Sequence, residues 1–405
     1  MIHSISVSNY HSIRDEVVLD LRIPGTAPDL PRFRRSAARP DVRLPAVVVL
    51  MGPNGSGKTT LLRALVTATE IASSLPLSGV SPIKTFVPFM SEKAKGEPTR
   101  ICVDFEVDGL LPDESPQLFR YEVVVERGET SDIEFATLRY EALFHFPKGR
   151  PRRLIERAEP GRPIYVSREF GLRARDDRLK GIRADASAIA TLAMFDVPLA
   201  TRIVDGLRAL RSSSTNLVAH DTWSFSTSNV AAMFESTPEL SDWIKAQIQL
   251  SDLGIRDVRI TDNSSGDKLV WFDHEGLDTP ILLAFESSGT KRLFHLLPQL
   301  GIALKVTGLA VLDEIDGDLH VDIVGEILRW FRSRQSNPRD AQLFVTSHNV
   351  GLLDDLEKEE VFIVEKDSSG ATRVHAAQDV RGLRRDSRLY PKYRSGVLGG
   401  IPRFG

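Results

Sequence analysis

A glycine-rich segment with a single lysine has the residue types and spacing of a phosphate-binding loop. The segment GPNGSGKTT matches the pattern G-x-x-x-x-G-K-[ST]. Small residues let successive backbone N–H groups curl around phosphate oxygens, the lysine adds a charge for the outer phosphates, and the threonine hydroxyl is a Mg²⁺ ligand. A phosphate loop lies between a buried strand and a helix, and here an apolar run precedes the segment and helical spacing follows it. An ordinary strand–turn–helix without nucleotide binding is therefore the weaker interpretation. The predicted nucleotide contacts are Gly52, Pro53, Asn54, Gly55, Ser56, Gly57, Lys58, Thr59 and Thr60.

A carboxylate pair, Asp313 and Glu314, ends the apolar run Leu309–Leu312. A strand buried on both faces carries such groups to the carboxyl edge of a parallel sheet, beside the phosphate loop. Asp313 would hold Mg²⁺, directly or through water, and Glu314 would polarise the attacking water. Acidic residues also end strands that have no catalytic role, so this interpretation depends on the phosphate loop.

Two further segments could contact phosphate. His348 follows the apolar run Leu343–Val345 and could donate a hydrogen bond to the γ-phosphate; a surface histidine after a strand is the alternative. The segment ESSGTKR places Ser287, Ser288 and Gly289 at the start of a predicted helix, Thr290–Leu300, whose amino-terminal end attracts anions. Taken alone, this second segment is better explained as an ordinary serine-capped helix.

The predicted elements place these groups in an α/β fold. Period-two alternation over Ile2–Leu21 predicts a hairpin, and the continuous apolar run Ala46–Leu50 predicts a strand buried on both faces. Strand patterns dominate residues 85–165, helix patterns dominate 185–249, and strands and helices alternate after Asp267, as in parallel sheets. We therefore expect an ATPase core from residues 1–84 and 261–405, an antiparallel β lobe at 85–184, and a helical insertion at 185–260.

Bulk composition is that of an ordinary globular protein: 405 residues, 41% hydrophobic, with a formal net charge of −3. This charge gives no global attraction to nucleic acid. The one cysteine, Cys102, excludes an internal disulfide framework and fits a reducing compartment. The amino terminus lacks the apolar core of a signal peptide, and no apolar stretch approaches the roughly 18 residues of a membrane helix. We expect a cytoplasmic protein without membrane partners.

Taken together and in this order, the four motifs resemble those of ABC- and SMC-type P-loop ATPases, which implies a mixed sheet with a parallel core, an antiparallel β lobe and a helical insertion. The resemblance implies that ATP and Mg²⁺ are the cofactors and that two copies form composite sites. Ser287 and Gly289 would then contact the nucleotide of the partner subunit. His348 would be the switch histidine, and Leu319–His320 would cross the dimer axis.

The chain is most similar to the AAA-family ATPases of bacterial abortive-infection systems, of the RloA- or AbiL-like type. The matching segments are Ile5–Val17, Asp252–Ile255, ESSGT at Glu286–Thr290, Asp313–His320 and Tyr393–Pro402. The chain departs from ABC proteins in three ways. It has no well-placed Q-loop glutamine, with Phe86–Phe89 roughly at that position; Ser288 replaces a signature glycine; and it has no heptad segment for coiled-coil arms.

Two functions follow from this resemblance. In the first, the ATPase senses phage infection and controls a separately encoded effector, such as a Toprim- or RloB-like nuclease. In the second, a DNA-repair or recombination ATPase acts directly on DNA ends. A transporter subunit is disfavoured by the missing glutamine and by the insertions. Two basic segments, Arg150–Arg183 and Arg381–Arg403, could bind nucleic acid or a partner protein, or could be solvated arginine-rich surfaces.

Overall fold

A computed structural model describes residues 1–74, 86–91, 94, 96–107, 116–127, 136–158, 163–173, 176–211, 227–251, 254–305 and 308–401. Its strands are β1 (Ile2–Ser8), β2 (Val17–Asp20), β3 (Phe33–Arg35), β4 (Arg43–Pro45), β5 (Val47–Met51), β6 (Thr99–Val107), β7 (Gln117–Arg127), β8 (Ala136–His145), β9 (Arg152–Arg157), β10 (Tyr165–Val166), β11 (Ile255–Asp262), β12 (Lys268–His274), β13 (Ile281–Leu282), β14 (Leu309–Leu312), β15 (Gln342–Ser347), β16 (Val361–Lys366) and β17 (Thr372–Ala376). Its helices are α1 (Lys58–Ser73), α2 (Asp177–Lys180), α3 (Ala188–Met194), α4 (Pro198–Arg211), α5 (Thr227–Ser236), α6 (Pro238–Leu250), α7 (Ser288–Lys305), α8 (Val321–Arg332) and α9 (Leu389–Arg394).

The central sheet has the strand order β14-β15-β5-β16-β17, with the first four strands parallel and β17 antiparallel to β16. Alternate residues of β5 enter two different cores: Val48 and Leu50 pack on the side of α1, and Val47, Val49 and Met51 on the side of α7 and α8. Both faces of the sheet are therefore covered, which explains the unbroken apolar run. The sheet order places the carboxyl ends of β14, β15 and β5 next to one another.

The second large sheet is antiparallel, with the order β10-β9-β8-β7-β6-β1-β2. The predicted hairpin at the amino terminus is confirmed: β1 and β2 are antiparallel neighbours, with Val7 opposite Val17. On its other side β1 pairs with β6, with Val7 opposite Ile101. The hairpin thus belongs to the antiparallel sheet, although the sequence grouped it with the ATPase core. Local alternation predicts a strand, but only long-range pairing selects its sheet.

The helical region divides between the two cores. Helices α3 and α4 pack with α1, in the core shared with the antiparallel sheet, whereas α5 and α6 pack with α7. Strand β11 begins at Ile255, within the predicted helical insertion 185–260, because it pairs with β12 around a turn at Asn263–Asp267. The division into domains therefore remains a proposal. Residues 212–226 of the predicted helical insertion lie outside the described ranges.

The predicted fold class is confirmed. The structure combines a mostly parallel sheet, an antiparallel sheet and inserted helices, as the order of sequence patterns indicated. The carboxylate strand and the histidine strand are adjacent, with Leu312 opposite Val345. Within the described ranges, none of the helices combines the length and apolarity needed to cross a bilayer.

Candidate nucleotide site

The loop between β5 and α1 has a conformation and surroundings that require glycine. Gly55 and Gly57 have φ angles of 75° and 107°, in the left-handed region that side chains disfavour. A Cβ on Gly52 would lie 2.0 Å from the Val364 carbonyl oxygen, and one on Gly57 would lie 2.2 Å from the Thr372 hydroxyl. Strands β16 and β17 therefore pack directly against the loop and leave no room for side chains at Gly52 and Gly57. Only a chain without side chains at these points can curl this tightly.

The lysine of the loop is buried inside it. Lys58 is 7% exposed, and its Nζ donates to the carbonyl oxygens of Gly52 (2.8 Å) and Pro53 (3.0 Å). Burial lowers the pKa of this ammonium group, whereas the negative charges of nearby Asp313, Glu314 and Asp316 act in the opposite direction. The phosphate loop and the predicted carboxylates, although distant in sequence, thus lie within electrostatic reach of each other.

A hydrogen-bonded chain of side chains links α1, β14 and β15. The Thr59 hydroxyl donates to Oδ2 of Asp313 (2.7 Å), and the Thr346 hydroxyl donates to Oδ1 of the same carboxylate (2.5 Å). The Thr346 oxygen also accepts the backbone N–H of Glu314 (2.7 Å). One buried hydroxyl therefore holds both acidic residues. The oxygens of Thr59 and Asp313 fit the preference of Mg²⁺ for a few protein oxygen ligands completed by water and phosphate.

The backbone at Glu314 has an uncommon conformation. Its φ angle is 48°, in the left-handed region, and its side chain is exposed. Such conformations cost about 1–3 kcal/mol and persist where the surroundings enforce them. Here the amide of Glu314 is held by Thr346, and its carbonyl oxygen accepts a hydrogen bond from Arg292 of α7. The strained turn directs the Glu314 side chain away from the core.

The histidine after β15 is tied to the loop that follows the carboxylates. Oδ2 of Asp316 accepts the backbone N–H groups of His348 (3.3 Å) and Asn349 (3.0 Å). The imidazole Nε2 lies 3.8 Å from the same oxygen, and the His348 side chain is 43% exposed. Asp316 therefore fixes the backbone of His348 and leaves much of its ring accessible to solvent.

The serine–glycine segment lies at the start of α7 and faces solvent. The Ser287 hydroxyl accepts the backbone N–H of Thr290 (3.1 Å), as an N-cap serine does, and Ser287 and Ser288 are exposed. A Cβ on Gly289 would lie 2.7 Å from the carbonyl oxygen of Asp318, so this segment packs against the loop after the carboxylates. The preceding Phe285 is 81% exposed.

Several residues around the site belong to no motif that would assign them a role from sequence. Thr346 and Asp316 hold the carboxylates and the histidine, and Arg292 contacts the turn at Glu314. The hydroxyl of Thr372 donates to the Ser56 carbonyl oxygen (2.8 Å) and is hydrogen-bonded to Ser12 (2.8 Å). Each is a common polar residue whose partner is distant in sequence. The one sequence signal that could have identified any of them is the position of Thr346 at the end of a buried strand.

The segment Phe86–Phe89, expected near the position of a Q-loop, packs on the turn between β1 and β2. The Val87 carbonyl oxygen accepts the backbone N–H of His11 (2.7 Å), and the Asn9 side chain accepts the N–H of Phe89 (2.9 Å). This turn also carries Ser12, whose hydroxyl donates to the Thr60 hydroxyl (3.3 Å). The segment therefore adjoins the phosphate loop through the amino-terminal turn.

Solved structures similar to this chain include the following SMC heads. The "SmcHead bound to the C-winged helix domain of ScpA" is 14% identical, with 93% of this chain and 97% of that chain covered and a TM-score of 0.45. The SMC head domain from Thermotoga maritima is 12% identical (93% and 98% covered, TM-score 0.42). The Smc head domain with a coiled coil and joint from Pyrococcus yayanosii is 12% identical (97% and 99% covered, TM-score 0.48).

Among curated proteins, none matches this sequence significantly. A family model described as "AAA domain, putative AbiEii toxin, Type IV TA system" matches residues 47–354. The match spans β5 to the turn after β15, so it contains the phosphate loop, the serine–glycine segment, the carboxylate pair and His348. Because it covers most of the chain, the resemblance to AAA-type ATPases of abortive-infection systems is confirmed, and the chain belongs to this AAA-domain family.

Proposed function

We propose that the protein binds Mg-ATP in the loop Gly52–Thr60 and hydrolyses it in composite sites formed by two copies of the chain. One observation carries the proposal: the Thr59 hydroxyl of the loop lies 2.7 Å from the Asp313 carboxylate. These residues are 254 positions apart in the sequence, and the neighbouring strands β5, β15 and β14 bring them together. A hydroxyl and a carboxylate meeting beside a buried lysine is the arrangement that P-loop hydrolysis requires.

Each side chain has a distinct role in this proposal. Lys58 and the loop amides bind the β- and γ-phosphates, and Thr59 and Asp313 hold the metal. Mg²⁺ at this position would neutralise charge on the phosphate oxygens. Glu314 accepts a proton from the attacking water, since its exposed carboxylate is held on a fixed turn beside the metal ligands. His348 donates a hydrogen bond to the γ-phosphate from its solvent-accessible ring.

The second copy completes the site. Ser287 and Ser288 are exposed at the amino-terminal end of α7, where backbone N–H groups and the helix dipole favour an anion. Gly289 packs against Asp318 of the same chain, so the serine–glycine segment and the loop after the carboxylates form one surface. We propose that this surface covers the ATP of the partner subunit, with Ser287 and Gly289 next to its γ-phosphate.

Mixing two inactive variants tests the shared site. Ser287→Arg blocks the surface offered to the partner, and Lys58→Ala removes the phosphate-binding lysine. A mixed dimer has one site in which both residues are intact. With random pairing, a one-to-one mixture should recover roughly a quarter of the wild-type turnover per subunit. A mixture of Ser287→Arg with a Ser287→Arg/Lys58→Ala double variant has no intact site and is the control.

If the first mixture stays as inactive as the control although analytical ultracentrifugation detects ATP-dependent mixed dimers, the shared-site model is wrong. Activity in either variant alone would also contradict it, because each has a defect in every site of its own homodimer.

In the cell, we propose that this ATPase is the cytoplasmic sensor of an anti-phage abortive-infection system and controls a separately encoded effector, for which a Toprim- or RloB-like nuclease is the candidate. The description of its family, which names a putative AbiEii toxin of a type IV toxin–antitoxin system, supports this role. The test is phage plating on cells that carry the gene with its native neighbours. Protection that is lost with Lys58→Ala supports the proposal; equal protection by Lys58→Ala and wild type contradicts it.

A further inference from the structure

A basic segment near the carboxyl end of the chain is fastened to the fold by specific contacts. The Leu383 side chain is buried, and its carbonyl oxygen accepts a hydrogen bond from Lys358 (3.2 Å). Arg385 forms ion pairs with Glu357 (3.0 Å) and Glu359. Leu389 and Tyr393 of α9 are also buried. The residues between these anchors are therefore held in defined positions on the surface.

Four arginines between and after the anchors are exposed and have no carboxylate within ion-pair distance among the residues that the structure describes. We call them the C-terminal arginine patch: Arg381, Arg384, Arg388 and Arg394. Half-buried Lys392 in the same segment also lacks such a partner within the described chain. Asp386 is the single acidic residue between 381 and 394. The patch is thus a local concentration of positive charge on a protein whose net charge is negative.

Several arginines of the other basic segment, Arg150–Arg183, are paired with neighbouring carboxylates. Arg152 pairs with Glu169 (2.5 Å), Arg178 with Asp176 (2.8 Å), and Arg153 and Arg183 each bind a nearby carboxylate, Glu156 and Asp185. An arginine whose N–H groups already bond to a carboxylate has fewer donors free to bind a second anion. The two segments look alike in sequence, and their ion pairs distinguish them. Among the described residues, Arg150, Arg168 and Arg173 of that segment are also exposed without an ion pair, so the difference is one of proportion: in the patch segment, Arg385 alone is paired and the other four arginines are available.

We propose that the C-terminal arginine patch binds the phosphate backbone of a nucleic acid, without base specificity. Guanidinium groups match phosphate oxygens through paired N–H donors, which a lysine cannot provide. An acidic protein partner is less favoured, because protein interfaces are anchored by apolar and aromatic side chains. In the patch segment Leu383, Leu389 and Tyr393 are buried, and Tyr390 is half-buried against the same core. What the segment offers to a partner is charge.

Fluorescence anisotropy with a labelled 20-base-pair duplex, without nucleotide, tests this binding independently of the ATPase. If four phosphates are contacted, the salt slope of log K is about −3.6, so the affinity falls roughly 100-fold between 50 and 200 mM salt. The patch variant replaces Arg381, Arg384, Arg388 and Arg394 with glutamine. Its affinity should be at least about 100-fold weaker at 50 mM salt, with the slope close to zero.

The matched control replaces Arg152, Arg153, Arg178 and Arg183 with glutamine, which removes the same charge from residues that are already paired. It should bind the duplex within about twofold of wild type, since those side chains are not free to bind phosphate. Unchanged circular dichroism and melting temperature show that both variants fold. If the fourfold patch variant does not fold, the single variant Arg384→Gln replaces it in the test. It should reduce the magnitude of the salt slope of log K by about 0.9.

Three results would overturn the proposal. The first is no salt-dependent duplex binding by the wild-type protein. The second is equal loss of affinity in the patch variant and the charge-matched control, since binding would then reflect net charge alone. The third is competition by poly-glutamate as effective as that by unlabelled duplex at equal charge, which would indicate an acidic protein as the partner.

Discussion

Replacing Thr346 with valine tests whether one buried hydroxyl holds both acidic residues of the site. Thr346 is 0% exposed; its oxygen donates to Asp313 and accepts the amide of Glu314. The loss of a hydrogen bond to a charged group costs about 1.5–3 kcal/mol, and an unsatisfied buried amide costs about 1–3 kcal/mol. Partial relaxation and the added methyl group reduce the sum, so we expect a loss of about 2–4 kcal/mol in the free energy of unfolding.

The same change should slow ATP hydrolysis at least about tenfold at saturating ATP, because the turn that directs Glu314 loses its hydrogen bond and a well-placed base contributes roughly 10²–10⁴ in rate. Thr346→Ser keeps the hydroxyl and should restore turnover. Urea denaturation and a phosphate-release assay measure the two effects separately.

The control is Thr191→Val in α3. Within the described part of the chain, the Thr191 hydroxyl bonds only to the Ser187 carbonyl oxygen (2.6 Å), which also accepts the Thr191 amide (3.0 Å). It should cost no more than about 1 kcal/mol and leave turnover unchanged. If Thr346→Val unfolds at the same urea concentration as Thr191→Val and hydrolyses ATP like wild type, the hydroxyl does not hold the carboxylates and this account of the site is refuted.

Three other changes test separate parts of the structure. Lys58→Ala should weaken ATP binding by at least about tenfold, because the loop loses its charged phosphate ligand; calorimetry measures this against Lys180→Ala, and equal affinities would contradict the role of Lys58. Glu314→Gln should retain ATP binding, slow hydrolysis about 10²–10⁴-fold and accumulate an ATP-bound dimer on size-exclusion chromatography; normal turnover would exclude Glu314 as the base. Burial opposes ionisation of Glu106, but the hydrogen bond with His3, the positive charge of the amino terminus and the hydrogen bond from Ser36 together outweigh it and lower its pKa from 4.5 to about 2. Its ionised form therefore stabilises the fold above pH 4.5, and this stability is lost as the pH falls toward 2. Glu106→Gln should flatten that part of the stability profile, and a profile as steep as wild type would show that other groups cause it.

The sequence alone was sufficient for the features that depend on near neighbours in the chain. The glycines and Lys58 identified the phosphate loop, because curling around an anion limits the residue types at fixed spacing. The unbroken apolar run of β5 predicted a strand covered on both faces, and period-two alternation predicted the β1–β2 hairpin. The sequence also predicted that the phosphate loop and the carboxylate strand, although distant in the chain, belong to one ATPase core, since both carry parts of the same chemistry.

Tertiary structure decided which residues meet. The role of Thr346 exists only because β15 lies beside β14, and the sheet of the amino-terminal hairpin follows from the pairing of β1 with β6. Likewise, an apolar helix face predicts burial but does not say against what, so the division of the helical region between two cores could not be foreseen. The two basic segments have a similar excess of basic over acidic residues, and the structure distinguishes them by how many of their arginines form ion pairs. Local patterns report the short-range preferences of the chain, whereas each of these features depends on contacts that exist only once the whole fold has formed.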